Sequence, residues 1–339
     1  PQAPAEVIGP ASGYLRIFML GLPLAAFTMG YASVLRALGD TITVVVISGA
    51  ANILNAGLDP LLIFGVGPLP ALGVRGAALA SVISQGGACY ACTACLRRGR
   101  AGLRLRWADF KPDRALLWRI TRIGVPASVA SSFSSIGFAF FQVIINSLGI
   151  TVVAAFTIGS RVLRLFDAPV HAMASATAPI VGQALGAGDV GLARRAVRFS
   201  ALLFAAVMIA PLVMLTWKGH AVAGWFINEP DVVAETGKFF MLVPWSTYCF
   251  GILMMLMSAF YGSGHTRPAM VISIIRVALV RLPVACLLVF GLKWGSLGAY
   301  TGMVAGNVVA ALVAFALFAR GGWEKGVVPT GSPDPGADA

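Results

Sequence analysis

The run Thr41-Ile-Thr-Val-Val-Val-Ile-Ser-Gly-Ala-Ala-Asn52-Ile-Leu-Asn55-Ala-Gly-Leu-Asp59-Pro60-Leu-Leu-Ile-Phe-Gly65 decides how this chain is read. It holds 25 residues, and Asp59 is the sole charged one. About 20 apolar residues are enough for a helix to cross a bilayer. A helix apolar on every face has no side to offer to water. The run therefore predicts a membrane span, and a carboxylate within it asks for a reason.

Eight further stretches have the same character, at roughly 13–35, 72–96, 115–147, 152–174, 192–217, 236–261, 268–291 and 296–319. An apolar piece from Ala174 to Leu185 extends the fifth span past a kink. The composition agrees with nine spans. Of 339 residues, 58% are hydrophobic and 11% charged, with a mean hydropathy of +0.86. Soluble domains carry about 25% charged residues. A soluble enzyme and a nucleic-acid binder are excluded despite a net charge of +12, because too little polar side chain exists to cover a wet surface. The 39 glycines and 19 prolines fit, since membrane helices tolerate both. The expected architecture is all-α and polytopic, and the expected surroundings are a lipid bilayer.

Charge placement orients the spans. Arg97–Arg122 contains nine Lys or Arg and two Asp, a net of +7 and more than half of the total. The positive-inside rule assigns that loop to the cytoplasm. Sides must alternate, and the other loops comply. Arg194, Arg195 and Arg198 follow the fifth span, Arg267 lies in the turn before the eighth, and Arg320 and Lys325 begin the tail. Gly65–Gly73 has no charge, and Lys218–Lys238 balances two Lys with Glu229, Asp231 and Glu235. This places the C-terminus in the cytoplasm and the first residue outside.

An internal repeat is visible. Leu35-Arg-Ala-Leu-Gly-Asp40-Thr41, an apolar helix ending at Gly65, and Leu72-Gly73 parallel Phe260-Tyr-Gly-Ser-Gly264-His265-Thr266, a helix ending at Gly291, and Leu297-Gly298. Both copies enter from the cytoplasmic side, so the repeats are parallel. The expected organisation is half of a first lobe over 1–96 (three helices) and a basic linker over 97–115. A six-helix second lobe over 116–320 and a disordered tail over 321–339 follow. Three helices completing the first lobe would precede Pro1 and restore the parity.

At this point the residues resemble a known family. The turn Leu35–Thr41, the Asn52–Gly65 run, Leu72–Ser81, Ile123-Gly124-Val-Pro126, Val181–Asp189 and Gly262–Pro268 are similar, in order and spacing, to the multidrug and toxic compound extrusion (MATE) transporters. The likeness covers about residues 13–320. It implies twelve helices in two lobes, of which this chain supplies the fourth to twelfth. It also implies export of amphipathic, often cationic, organic compounds in exchange for Na⁺ or H⁺. A lipid-linked-precursor flippase of the same superfamily is the alternative.

Candidate residues follow. A carboxylate in a bilayer costs about 2.5–3.5 kcal/mol on insertion scales. Asn55 and Asp59 are four apart and share a helix face. Their oxygens suit Na⁺, and the carboxylate alone suits H⁺. Pro60 frees a carbonyl nearby. The resemblance implies a cation site here, with Ser81 as a hydroxyl ligand. A further aspartate of the family's first helix lies outside this chain. The family's other branch uses a glutamate on the helix that here reads Pro126-Ala-Ser-Val-Ala-Ser-Ser-Phe-Ser-Ser135, with no carboxylate. That hydroxyl run predicts a close-packed helix interface. His265 replaces a family aspartate and is either proton-sensitive or a turn residue.

Arg164 and Asp167, three apart, predict a structural ion pair or a gating element. Arg276 and Arg281 must face a cavity or partner rather than lipid. They would repel a cationic substrate, which points to a broader or anionic substrate range or to their burial in pairs. Phe138, Phe140, Phe141, Met254, Met255 and Met257 either pack helices or line that cavity.

No resident cofactor or metal is expected, only the coupling ion. Cys89, Cys92 and Cys95 sit at helical spacing without His, Asp or Glu beside them. An intramembrane enzyme is disfavoured, because His171, His220 and His265 lie in separate segments. The expected protein is a monomeric, multi-pass transporter of the inner (plasma) membrane that binds small organic substrates and no nucleic acid.

Overall fold

A computed structural model describes residues 5–65, 70–99 and 113–325. Among them, nine helices follow in order: α1 (Ala5–Ala37), α2 (Thr41–Phe64), α3 (Val74–Arg97), α4 (Arg114–Asn146), α5 (Ile150–Gly186), α6 (Val190–Gly224), α7 (Pro230–Gly262), α8 (Thr266–Gly291) and α9 (Ser296–Ala319). Eight are long and apolar enough to cross a membrane. The remaining one, α5, is 37 residues long and carries Arg161, Arg164, Asp167 and His171 in its middle. It runs unbroken through Pro169 and Pro179 to Gly186 and so takes in the apolar piece Ala174–Leu185 that was expected to extend this span.

The turns are set by local chemistry. Gly39 (φ 87°) and Gly264 (φ 81°) adopt the left-handed conformation that glycine reaches without strain. Each lets the next residue, Asp40 or His265, start a new helix. The Asp40 carboxylate accepts from the Thr43 amide at 3.0 Å and its hydroxyl at 2.7 Å, capping otherwise orphaned donors. Asp113 and Asp189 cap α4 and α6 in the same way.

The repeat is also visible as geometry, with one change of register. Gly73 (φ 56°, ψ −132°) and Gly295 (φ 59°, ψ −137°) hold equivalent positions at the starts of α3 and α9. The partner of Gly73 is therefore Gly295 and not Gly298. Gly298 matches Gly76, each pressed on the end of the preceding helix. Matching Leu-Gly pairs misses this because the stretch from the turn to the glycine is three residues shorter in the second copy, 30 from His265 to Gly295 against 33 from Asp40 to Gly73.

The chain divides into two compact units, Pro1–Pro112 and Asp113–Ala339. In the first, α3 is the centre, with α1 and α2 packed on it. Small clusters around Leu35, Val44 and Leu96, and around Ile47, Ala88 and Cys92, form its core. In the second, α7 is central and packs on α5, α6 and α9, while α4 packs on α8. Phe204, Phe239, Phe240, Met255 and Tyr300 fill its middle.

Most of the expected linker (100–112) and tail (326–339) lies outside the described residues. The start of the tail is ordered, contrary to expectation. Trp323 is buried, stacks on Phe318 at 4.9 Å and donates its indole N–H to the Phe318 carbonyl at 3.0 Å. The neighbouring Glu324 accepts from Arg194 Nε at 2.7 Å. A large aromatic ring with a satisfied polar atom outweighs the glycines around it.

Candidate functional site

Two places hold the candidate residues, one in each unit. In the first, Asn55 and Asp59 lie one turn apart on α2, which continues through Pro60. Both are partly buried. Asn55 Nδ2 and Asp59 Oδ1 are shielded from solvent and have no hydrogen-bond partner. Buried polar atoms are normally paired, so two orphans one turn apart mark a place where a ligand or proton is expected. Ser81 is elsewhere. Its hydroxyl donates to the Ala77 carbonyl at 3.0 Å, and it lines a small cleft between α1 and α3 with Phe18, Leu22 and Gln85. Neither Asn55 nor Asp59 lines that cleft.

In the second unit a cavity of about 260 Å³ opens among α4, α5, α7, α8 and α9. Arg164, Asp167, Arg276 and Arg281 all line it. The predicted Arg164–Asp167 ion pair does not form. Among the described residues no N–O distance within 4.0 Å joins them, although both face the same cavity. Arg276 and Arg281 are buried. Arg276 Nη2 donates to Ser134 Oγ at 2.8 Å, and its guanidinium lies over the Phe250 ring at 5.1 Å. Arg281 Nη2 donates to Asn307 Oδ1 at 3.1 Å. Asn307 Nδ2 donates in turn to the Ser246 carbonyl at 3.0 Å and hydroxyl at 2.8 Å.

The backbone of α8 explains how both arginines reach one cavity. Ile275–Arg281 is π-helical, as is Leu287–Gly291. Pro283 lies just beyond and has no N–H, and its ring would clash with a carbonyl in α-geometry. The Leu282 amide reaches back five residues to the Val277 carbonyl. In an α-helix residues five apart point about 140° apart; the wider π ladder, bonded i→i+5, brings them much nearer to one face. Gly137 and Gly306 let α4 and α9 approach the widened segment. An added Cβ on Gly137 would meet Val277, and one on Gly306 would meet the Arg276 carbonyl.

The aromatic and Met candidates divide. Phe138 lines the cavity, whereas Phe141, Met255 and Met257 are core. The hydroxyl run on α4 is not a tight interface within its unit. Ser128, Ser131, Ser132 and Ser135 are exposed, and Ser131 and Ser135 donate back to carbonyls four residues earlier. Ser134 alone is drawn into the site. Two polar residues escaped sequence reading. Glu235, taken as a loop charge, is buried in α7 between Lys238 (2.9 Å) and the Tyr300 hydroxyl (3.3 Å). Asn307, in an all-apolar span, is the other polar residue that reading passed over.

His265 does not line the cavity of its unit. It lines a cleft with Arg122 and Arg267, and its Nδ1 meets Ser263 Oγ at 3.1 Å. Burial lowers its pKa below the usual value, opposed by a hydrogen bond that the ring donates to the Ser263 backbone. The folded protein therefore holds His265 neutral where the unfolded chain begins to take up a proton, near pH 6.5. Stability is full above that value and declines as the pH falls toward the folded pKa. Thermal melts in detergent between pH 7.5 and 5.5 should show this decline, and His265→Gln should flatten it. An equal decline in that variant would refute the assignment.

The cysteines are all free, and no His/Cys/Asp/Glu group among the described residues suits a metal ion.

The MatE family profile matches residues 2–61 and 126–287, more than half of the chain. The chain belongs to the MatE family. This MatE protein is accordingly a multi-pass membrane transporter and not an enzyme. It is 27% identical over 330 residues to a probable multidrug resistance protein, NorM, of Thermotoga maritima, covering 97% of this chain and 71% of that one. It is 28% identical over 277 residues to an FAD transporter of Shewanella oneidensis, covering 81% and 61% respectively. Among solved structures, a MOP superfamily transporter from Pyrococcus furiosus superposes with a TM-score of 0.85 at 26% identity, over 94% of this chain and 70% of that one. These relatives favour a multidrug-type transporter over the flippase alternative.

Proposed function

We propose that this MatE protein is a secondary antiporter. It exports amphipathic organic compounds in exchange for H⁺ or Na⁺, working as a monomer in the plasma membrane with its C-terminus in the cytoplasm. The observation that carries the coupling half is the pair of orphaned atoms, Asn55 Nδ2 and Asp59 Oδ1, buried on one face of a membrane helix. A carboxylate at that depth is costly unless its charge is answered. A cation or proton that comes and goes would answer it in turn. Ser81 bonds to its own helix, so the reading rests on Asn55 and Asp59. The multidrug resistance relatives support the transport half. The basic loops support the orientation.

The test is ethidium export measured in everted vesicles from cells making the protein. Imposing a pH or Na⁺ gradient should start export, and collapsing it with the matching ionophore should stop it. Export that persists with both gradients collapsed, or that requires ATP, would overturn the antiporter reading.

A further inference from the structure

The cavity of the second unit is unusual in its charge. Arg164, Arg276 and Arg281 face it against a single carboxylate, Asp167. Among the described residues no carboxylate lies within 4.0 Å of either Arg276 or Arg281. The groups that hold them are neutral: a serine, an asparagine and a phenylalanine face. Arg281 also keeps an Nε that is buried and donates to nothing. A buried cation without a counter-charge is strongly destabilising, because the low dielectric repays neither its lost hydration nor its repulsion from a second cation. The chain goes to some length to arrange it. The π-helical turn brings the two guanidinium groups to one side, and Gly306 admits the segment close to Asn307.

The cavity wall also carries Phe138, Phe156 and Phe239. A guanidinium offers a planar fork that fits carboxylate and phosphate oxygens. The volume, about 260 Å³, is just under the range of about 300–1,000 Å³ usual for small-molecule sites.

We propose that this cavity binds a small amphipathic anion, its carboxylate or phosphate seated between Arg276 and Arg281 and its apolar body against the phenylalanines. Arg281 Nε supplies the unused donor, and Asn307 and Ser246 hold the guanidinium in place. This inference rests on the transporter reading for its purpose, but it uses none of the residues that carry the coupling.

The test is binding, with no gradient present. Purified protein in a neutral detergent is titrated calorimetrically with 2-naphthoate, with 2-naphthylmethylammonium, which has the same ring and the opposite charge, and with dioleoylphosphatidic acid. Naphthoate should bind at least tenfold more tightly than the ammonium. Arg281→Gln should weaken naphthoate by tenfold or more. Should that variant fail to fold, Asn307→Asp keeps the side-chain shape, places a carboxylate on Arg281 and should weaken naphthoate similarly. Gly57→Ala, where an added Cβ would meet nothing within 4 Å, should leave the affinity unchanged.

Binding of naphthoate that depends on Arg281 identifies a soluble anion as the ligand. Arg281-dependent binding of phosphatidic acid alone identifies a lipid headgroup with the same anion chemistry. The proposal is overturned if neither binds, if binding is indifferent to both substitutions, or if the ammonium binds as tightly. A protein that binds naphthoate yet shows no gradient-driven export keeps this inference and loses the antiporter reading.

Discussion

Asp59→Asn should reduce gradient-driven export at least tenfold while leaving the amount of protein in the membrane unchanged. Asparagine has the shape of aspartate and no charge, so α2 keeps its packing. The insertion cost of a carboxylate, about 2.5–3.5 kcal/mol, is removed rather than added. Lower abundance is therefore not expected. What disappears is the group whose charge a cation or proton must neutralise in one state and leave in the other. The orphaned Oδ1 and the orphaned Nδ2 of Asn55 locate that exchange on one helix face. Export is read as the initial rate of ethidium movement in everted vesicles, normalised to protein by immunoblot. A variant that exports at the parent rate would remove Asp59 from the mechanism.

The second large effect is on stability. Gly76→Val should lower the thermal midpoint of the purified protein by several degrees, from an overpacking cost of about 1–3 kcal/mol or somewhat more. A Cβ at Gly76 would lie 2.3 Å from the Leu62 carbonyl oxygen and 2.6 Å from its carbon. Both are backbone atoms, and no side chain can rotate to relieve the contact. Without a hydrophobic force between helices in lipid, close approach at small residues is a main source of association. Parting α2 from α3 there would also disturb the helix that carries Asn55 and Asp59. Gly57→Ala is the control. Its Cβ would meet nothing within 4 Å, and alanine favours the helix by about 1 kcal/mol over glycine. A Gly76→Val protein as stable as its parent would show that α2 and α3 are not in this contact.

Much of the fold was legible because a bilayer imposes coarse rules. Length and apolarity announce a span, so α2, α3, α8 and α9 fell within a few residues of their expected bounds. Asp59 stood out for the same reason, as one charge in 25 residues. Where side chains compensate one another, the rules weaken. The tail was composed like a disordered segment, yet Trp323 pins its beginning to Phe318. Glu235 looked like a loop charge because Lys238 offsets it in composition, and its burial beside Tyr300 involves a residue 65 positions away.

By itself the sequence determined the class of molecule: an all-helical, multi-pass protein with a repeated turn, and a carboxylate that lipid would not tolerate without a task. These follow from hydropathy and spacing, which are local. Only the tertiary structure decided what the arginines do. At α-helical spacing Arg276 and Arg281 point apart, and the π-helical turn before Pro283 brings them together. Asn307, drawn from another helix, then holds one of them in place. Backbone register and long-range partners of this kind come from packing, since the energy that widens a helix by one residue per turn is spread over the neighbours that fill the space around it.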